Sequence, residues 1–295
     1  MKNKIITLLT DFGTIDPYVS IMKGIILSIN PNVNIIDISH NVPKFDIVKG
    51  AFILFNSGRY FPEGTIHVIV IDPGVGSERL PILIKTKRYY LIGPDNGVLS
   101  LLAYKDGIEK IYTLNNPKYF LDRVSMTFHG RDIFAPVAAH LSMGVNLSEF
   151  GNEIQSIKKI DEIYFSNPII KSECEIIFNI IDIDGFGNII TNISAETILK
   201  LIKKLKDNIK KDEKFIYIKV YKGVDFDESK SLSISFPFKR TYDDVKKGEF
   251  LALIGSHGNL EFSQNQDNAA KHLKILPGDK LCLKLYGNLT SPKNI

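Results

Sequence analysis

"VIDPGVGSER" runs from Val70 to Arg79 and sets an aspartate and an arginine seven residues apart. An apolar strand ends on Asp72, two glycines turn the chain, and Arg79 brings it back. A tight turn needs Pro and Gly, which supply fixed and positive φ angles. It needs neither a carboxylate nor a guanidinium. Burying such a pair carries a high desolvation cost. Its presence in a Gly-rich loop therefore favours a functional reading over a structural ion pair. A second constellation, "TFHGRD", places His129, Arg131 and Asp132 before an apolar helical run. Carboxylate, guanidinium and imidazole carry acid–base and charge-stabilising chemistry, so these stretches read as sides of a reaction centre.

The elements that must position these groups alternate along the first half. Lys4–Leu9, Val33–Ile38 and Thr65–Ile71 are β-branched, apolar strand runs. Between them Tyr18–Ile29 and Asp46–Phe55 have helical periodicity, with Asp16 as N-cap and Pro17 at the first helical position. Pro81–Thr86 and Tyr89–Ile92 read as a hairpin. Asn96–Tyr104 and Asp132–Met143 read as helices. This alternation predicts an α/β domain, residues 1–151, with a mainly parallel sheet covered by helices. Residues 152–174 are polar and irregular and read as a linker. From 175 to 295 strand runs dominate: Glu175–Ile183, Lys214–Val220, Ser231–Phe236, Phe250–Ile254 and Lys280–Leu285, with one helix at Ala195–Lys206. The second domain is predicted to be β-rich and barrel-like or a sandwich.

In parallel sheets ligands bind at the carboxyl ends of the strands. Asp11 follows the first strand, His40 and Asn41 the second, Asp72 the third, and Asp95 and Asn96 the strand ending "LIGPDNG". Each also has a plain structural reading. Asp11 suits an Asx-turn, and Asp95 a turn as readily as a site. Asp132 reads better as a helix N-cap, and His40 as a hydrogen-bonded core histidine. His129 suits a half-buried structural role or catalysis, and spacing leaves that open. "DPGVGS" resembles a dinucleotide loop, but the third glycine is missing and Leu80-Pro81 follows where a helix should begin, so the fingerprint fails. Asp11, Asp72, Asp95 and His129 would suit Mg²⁺ or Mn²⁺. An arginine within that cluster argues against a metal.

Composition narrows the classes further. The chain has 295 residues, 44% hydrophobic and 24% charged, so one large or two ordinary domains with real cores are expected. The net charge of +4 is spread along the chain; the basic pairs Lys203-Lys204, Lys210-Lys211 and Lys246-Lys247 read as solvated faces, not a nucleic-acid surface. Cys174 and Cys282 form no C-x-x-C motif. The apolar run after the basic start stops at Asp11, too short for a signal core, and no run reaches membrane-span length. A cytoplasmic protein without membrane contact is the expectation.

"TDFG", "DPYVSIMKG", "FPEGTIHVIVIDPGVGSER", "GPDNGVLS" and "TFHGRDIFAPVAAHL" resemble the S-adenosylmethionine (SAM) hydrolases, the SAM hydroxide adenosyltransferases. These are a sister group of the fluorinases and chlorinases. The resemblance continues in "IDIDGFGNIITNI" and "GSHGNLEFSQNQDNAAKHL". It implies an N-terminal α/β domain, a C-terminal barrel-like domain, and a homotrimer with active sites between the N-terminal domain of one subunit and the C-terminal domain of its neighbour. It implies that water or hydroxide attacks the ribose C5′ of SAM, giving adenosine and L-methionine, with no cofactor and no metal.

Carried over residue by residue, Asp72, Arg79 and His129 position and activate the water, with Asp72 or His129 as proton acceptor. The halogenating relatives have other residue types there, which favours water over halide. Asp11 matches the carboxylate on the ribose hydroxyls and Phe45 an aromatic against the sugar. Asp95 and Glu261 belong to the implied substrate-binding set. Asp184, Phe186 and Asn188 in "DGFGN" match residues for the methionine amino group and the adenine. A shorter spacing there leaves Asp182 as an alternative to Asp184. Ser256 matches a contact to the methionine carboxylate, and His257 stands where the halogenases place an arginine. Without the resemblance, "GFGN" reads as a hairpin turn. The alternatives are a halide-dependent SAM halogenase, a non-catalytic SAM or adenosine sensor, and a metal-dependent hydrolase.

Overall fold

The computed structural model describes residues 4–160, 166–208, 216–222 and 234–287. The chain forms two compact units, Met1–Asp161 and Glu162–Ile295. Lys210, Lys211 and the first residues of two expected strands, Lys214, Phe215 and Ser231–Ser233, lie outside the described residues.

The first unit alternates β1 (Lys4–Thr10), α1 (Tyr18–Ile29), β2 (Val33–Ser39), α2 (Ile47–Gly58) and β3 (Ile66–Val70). A hairpin of β4 (Pro81–Thr86) and β5 (Tyr90–Pro94) follows, then α3 (Ser100–Asp106), β6 (Ile108–Thr113) and α4 (Ala135–Ser142). The sheet order is β2-β1-β3-β5-β4-β6. β2, β1, β3 and β5 run parallel, and β4 is antiparallel to both neighbours. β1 and β3 are buried and mostly apolar because both faces of the sheet are covered. Ile6, Leu8, Val68 and Val70 pack with Met22 and Ile26 of α1 and Ala138 and Ala139 of α4. On the opposite face Gly50 of α2 sits so close to Ile71 that a Cβ there would lie 2.2 Å from its Cδ1.

Three local expectations change. Asp16 does not cap α1: Pro17 occupies the cap position with no side-chain cap, and Ser20 Oγ closes the turn on the Pro17 carbonyl. Asp132 is no N-cap either. It lies inside a π-helical turn, Gly130–Phe134, that runs into α4. Residues 152–160, expected as linker, follow β6 through Thr113 N–H to Asn152 O and Ile154 N–H to Ile111 O, and bury Ile157 and Ile160.

The second unit holds β7 (Ile169–Ile170), β8 (Glu175–Ile183), β9 (Ile189–Ser194), α5 (Ala195–Asn208), β10 (Ile216–Lys222) and β11 (Ile234–Pro237). It continues with β12 (Phe250–Ile254), β13 (Asn259–Gln264), α6 (Ala269–Leu273) and β14 (Lys280–Gly287). Its order is β11-β10-β14-β8-β9-β13-β12, antiparallel throughout, with β7 added on β8. A bridge between Phe238 and Ala252 joins the two ends, so the sheet all but closes into a barrel. Phe178, Phe236 and Phe262 fill it, and Ile198, Leu201 and Ile202 of α5 seal it. Among the described residues no helix is long and apolar enough to cross a membrane, and no disulfide joins Cys174 to Cys282.

Candidate active site

The parallel register brings the ends of β1, β3 and β5 to one edge. Thr10 pairs with Val70, so Asp11 follows beside Ile71, and Asn96 Nδ2 donates to the Ile71 carbonyl at 2.8 Å. β4 runs the other way. Its first residue, Pro81, pairs with Pro94, the last of β5, so Arg79 arrives at the same edge from a strand's beginning. There Arg79 grips Asp72 with two bonds, Nε to Oδ1 at 2.9 Å and Nη2 to Oδ2. Both side chains are buried, 9% and 5% exposed. The ring of Phe134 lies 5.7 Å from the guanidinium carbon. Arg79 Nη1 is buried with no hydrogen-bond partner. A buried guanidinium N–H without an acceptor is costly, which marks this atom as a place for a ligand or water oxygen.

His129 completes the group, its Nδ1 2.7 Å from Arg79 Nη2. A guanidinium only donates, so Nδ1 accepts and the neutral ring carries its proton on Nε2. Burial, then the Arg79 charge, hold the imidazole below its ordinary range against the opposing pull of Asp72 and Asp132. The π-helical turn presents the ring at this point; such turns recur at functional sites. Asp132 steadies the turn, accepting from Arg131 Nε at 2.6 Å and from Ser125 N–H at 2.7 Å. The loop from Asp72 to Arg79 presses on the same 125–127 segment. Gly76 has φ +77°, and a Cβ there would meet the Met126 carbonyl at 2.2 Å.

Asp11 is buried, and its Oδ2 accepts from Phe45 N–H at 2.8 Å. Lys44 Nζ donates to the Asp11 carbonyl. Phe45 is thereby held at φ +66°, a strained conformation for a non-glycine, with its ring 68% exposed. Sequence reasoning missed a cluster beside these residues: Phe12, Tyr18 and Phe128 make mutual ring contacts at 5.2–5.7 Å. Their signal was adjacency, since Phe12 follows Asp11 and Phe128 precedes His129. Asp95 turns to Lys158 N–H at 2.8 Å, and burial raises its carboxyl above the usual range despite that bond. His40 is structural, bonded to Thr10 Oγ1 at 2.9 Å and lying 3.0 Å from Asp37.

In the second unit Asp184, Phe186, Asn188, Ser256, His257 and Glu261 line one open pocket of about 1000 Å³. Asp184 shapes the "DGFGN" turn, accepting from Phe186 and Asn188 N–H at 2.9 and 3.0 Å and from Asn188 Nδ2 at 2.8 Å. This leaves Phe186 81% exposed. Asp182 is buried outside the lining. Glu261 is only 3% exposed. It accepts from Tyr242 OH at 2.6 Å, Ser263 Oγ at 2.7 Å and His257 Nε2 at 3.1 Å. Burial works against its charge, but these bonds outweigh it and hold the carboxyl below the usual range. Burial and the Glu261 contact push the Tyr242 phenol up. His257 Nδ1 accepts from Asn259 N–H at 3.1 Å, so its ring bridges protein groups at both nitrogens. Arg240 and Tyr242 also line the pocket and escaped sequence reasoning. Only the capping pattern "TYDD" hinted that the segment is anchored.

Among the described residues no three His, Cys, Asp or Glu side chains gather as a metal site. Residues 6–151 match the SAM hydroxide adenosyltransferase N-terminal domain, and residues 178–282 its C-terminal domain. A curated relative named (R)-S-adenosyl-L-methionine hydrolase, from Methanocaldococcus jannaschii, is 41% identical over 92% of both chains. A fluorinase from Actinoplanes is more distant, 30% identical over 65% of this chain and 72% of its own. The crystal structure of an uncharacterized conserved protein from Thermotoga maritima superposes with a TM-score of 0.83 and 34% identity, over 95% of this chain and 99% of that one. With both domains matched in order, and the carboxyl edge and barrel pocket built as described, the chain belongs to the SAM hydroxide adenosyltransferase family.

Proposed function

We propose that the protein hydrolyses SAM to adenosine and L-methionine by attack of water at the ribose C5′. The observation that carries this is the cluster centred on Arg79, whose Nη1 is buried without a protein partner while its other nitrogens grip Asp72 and His129. A water oxygen accepting from Nη1 is aligned and made more acidic by the adjacent charge. Its proton goes to Asp72. The lone pair on His129 Nδ1 is already engaged by Arg79, whereas each carboxylate oxygen keeps a second acceptor site. The oxygen forms the new bond to C5′ as the C5′–S bond breaks. The electron pair stays on sulfur, and neutral methionine leaves. The balance is SAM and water to adenosine, methionine and one proton; the residues described supply alignment and charge, with no cofactor or metal in the reading.

Asp11, Phe45 and Asp95 serve the ribose side in this proposal, and the barrel pocket takes the methionine and adenine ends through Asp184, Phe186, Asn188 and Ser256. The subunits assemble as a cytoplasmic homotrimer, each site made from the first unit of one copy and the second unit of the next. Incubation with SAM in heavy-oxygen water, free of halide and added metal, tests the reaction. Adenosine labelled at its 5′ oxygen is expected. Intact SAM, or turnover only with chloride or fluoride, would sink the reading.

A further inference from the structure

We propose that Arg240 is the specificity residue that reads the α-carboxylate of the substrate's amino-acid end; this rests on the SAM-hydrolase reading. An amino-acid end presents one anion and one cation. The barrel pocket offers carboxylates to the cation, but among the described residues Arg240 is its one Lys or Arg. His257 is poorly placed for the anion. Its Nε2 donates to Glu261 and its Nδ1 accepts from Asn259 N–H, so neither nitrogen is left pointing a proton at a ligand. A guanidinium, by contrast, can grip a carboxylate with two parallel bonds.

The backbone carrying Arg240 is fixed as part of the wall. Lys239 N–H donates to the Ala252 carbonyl at 2.8 Å. Asp244 Oδ2 accepts from the N–H groups of Arg240 and Thr241 at 3.0 and 3.2 Å. Tyr242 is tied down on Glu261 at 2.6 Å. Glu261 is thus a positioning residue: its buried carboxylate holds both Tyr242 and His257, which line the same pocket as Arg240. Substrates that keep the carboxylate are selected, and those that lack it have nothing for Arg240 to grip.

The test compares Arg240→Gln and Arg240→Lys with the parent enzyme on SAM and on decarboxylated SAM. For SAM, Arg240→Gln should lower kcat/KM by about ten- to a hundredfold, mostly through KM, the range of a lost charge-assisted hydrogen bond. Arg240→Lys should recover part of it. On decarboxylated SAM the parent and Arg240→Gln should agree within about twofold. Equal losses on both substrates, or no loss on SAM, would overturn the assignment. Calorimetric binding of L-methionine and of 3-methylthiopropylamine to the same proteins reads Arg240 without turnover. If the parent binds methionine through Arg240 but leaves SAM intact, the hydrolase reading fails and the subsite stands. If Arg240→Gln binds methionine as the parent does, the subsite fails whatever the reaction.

Discussion

Arg79 has three commitments: a carboxylate, an imidazole and one nitrogen with no protein acceptor. This arrangement gives Asp72 and His129 different duties. Asp72→Asn keeps the shape but removes the proton acceptor, and should lower kcat by about a hundredfold or more. His129→Gln keeps an acceptor for Arg79 and should retain far more activity. The same geometry fixes a pH dependence. His129 must be neutral to accept from Arg79, and its pKa is displaced below the ordinary 6.5 by burial and by that guanidinium. The kcat/KM of the parent should therefore be level near pH 7 and fall only below 6.5, and His129→Gln should lack that limb. A limb above pH 7 that vanishes in the variant would contradict the tautomer. Asp72, Arg79 and His129 were legible as site candidates because strand ends and unexplained charges in turns can be read from the chain. The tautomer, and hence the division of labour, needed the 2.7 Å contact.

At the scale of elements, the loop after β3 presses on the 125–127 segment that leads into the π-helical turn, where Gly76 meets Met126. Gly76→Ala adds a Cβ where φ is +77° and space is already taken. It should cost about 1–3 kcal/mol in denaturation experiments and lower turnover by displacing Arg79. A variant with parental stability and turnover would show that the loop is not clamped there. The apolar strands β1, β3, β8 and β12 were legible because β-branched runs declare themselves. β6, β9 and β13 were not: Glu109, Asn192 and Glu261 interrupt their apolar patterns, and only pairing with neighbours makes them strands. The π-helical turn escaped because one extra residue per turn leaves little trace in a 3.6-residue periodicity. The barrel pocket is assembled from separated stretches around residues 184–188, 240–242 and 253–268, so its lining follows from barrel closure, not from any local motif.

For the molecule as a whole, stability depends on a histidine remote from the proposed chemistry. His67 of β3 is wholly buried, bonded to Thr7 Oγ1 at 2.7 Å, with Nε2 unpartnered and its ring against Phe61 and Tyr89. Burial lowers its pKa from 6.5 to about 4, against a small opposing pull from Asp106. Between these values the unfolded chain binds a proton that the folded chain refuses. Its contribution is therefore full above pH 6.5 and is lost as pH falls toward 4, a swing of about 3 kcal/mol. Denaturant titrations at pH 7 and pH 4.5 should show that loss in the parent and a smaller one in His67→Asn. An equal loss in both would place the acid sensitivity elsewhere.

The reversed strand β4 has a consequence for how such a molecule diversifies. In an all-parallel sheet the carboxyl edge is reached only by residues that leave strands. Here one strand begins at that edge, so a single short excursion out of β3 and into β4 delivers both partners of the central pair. The buried strands on either side hold their register through apolar residues that take no part in that excursion. New chemistry can therefore be auditioned by rewriting one loop and the turn facing it, within the packing limit set at Gly76, while the register of the sheet stays as it is.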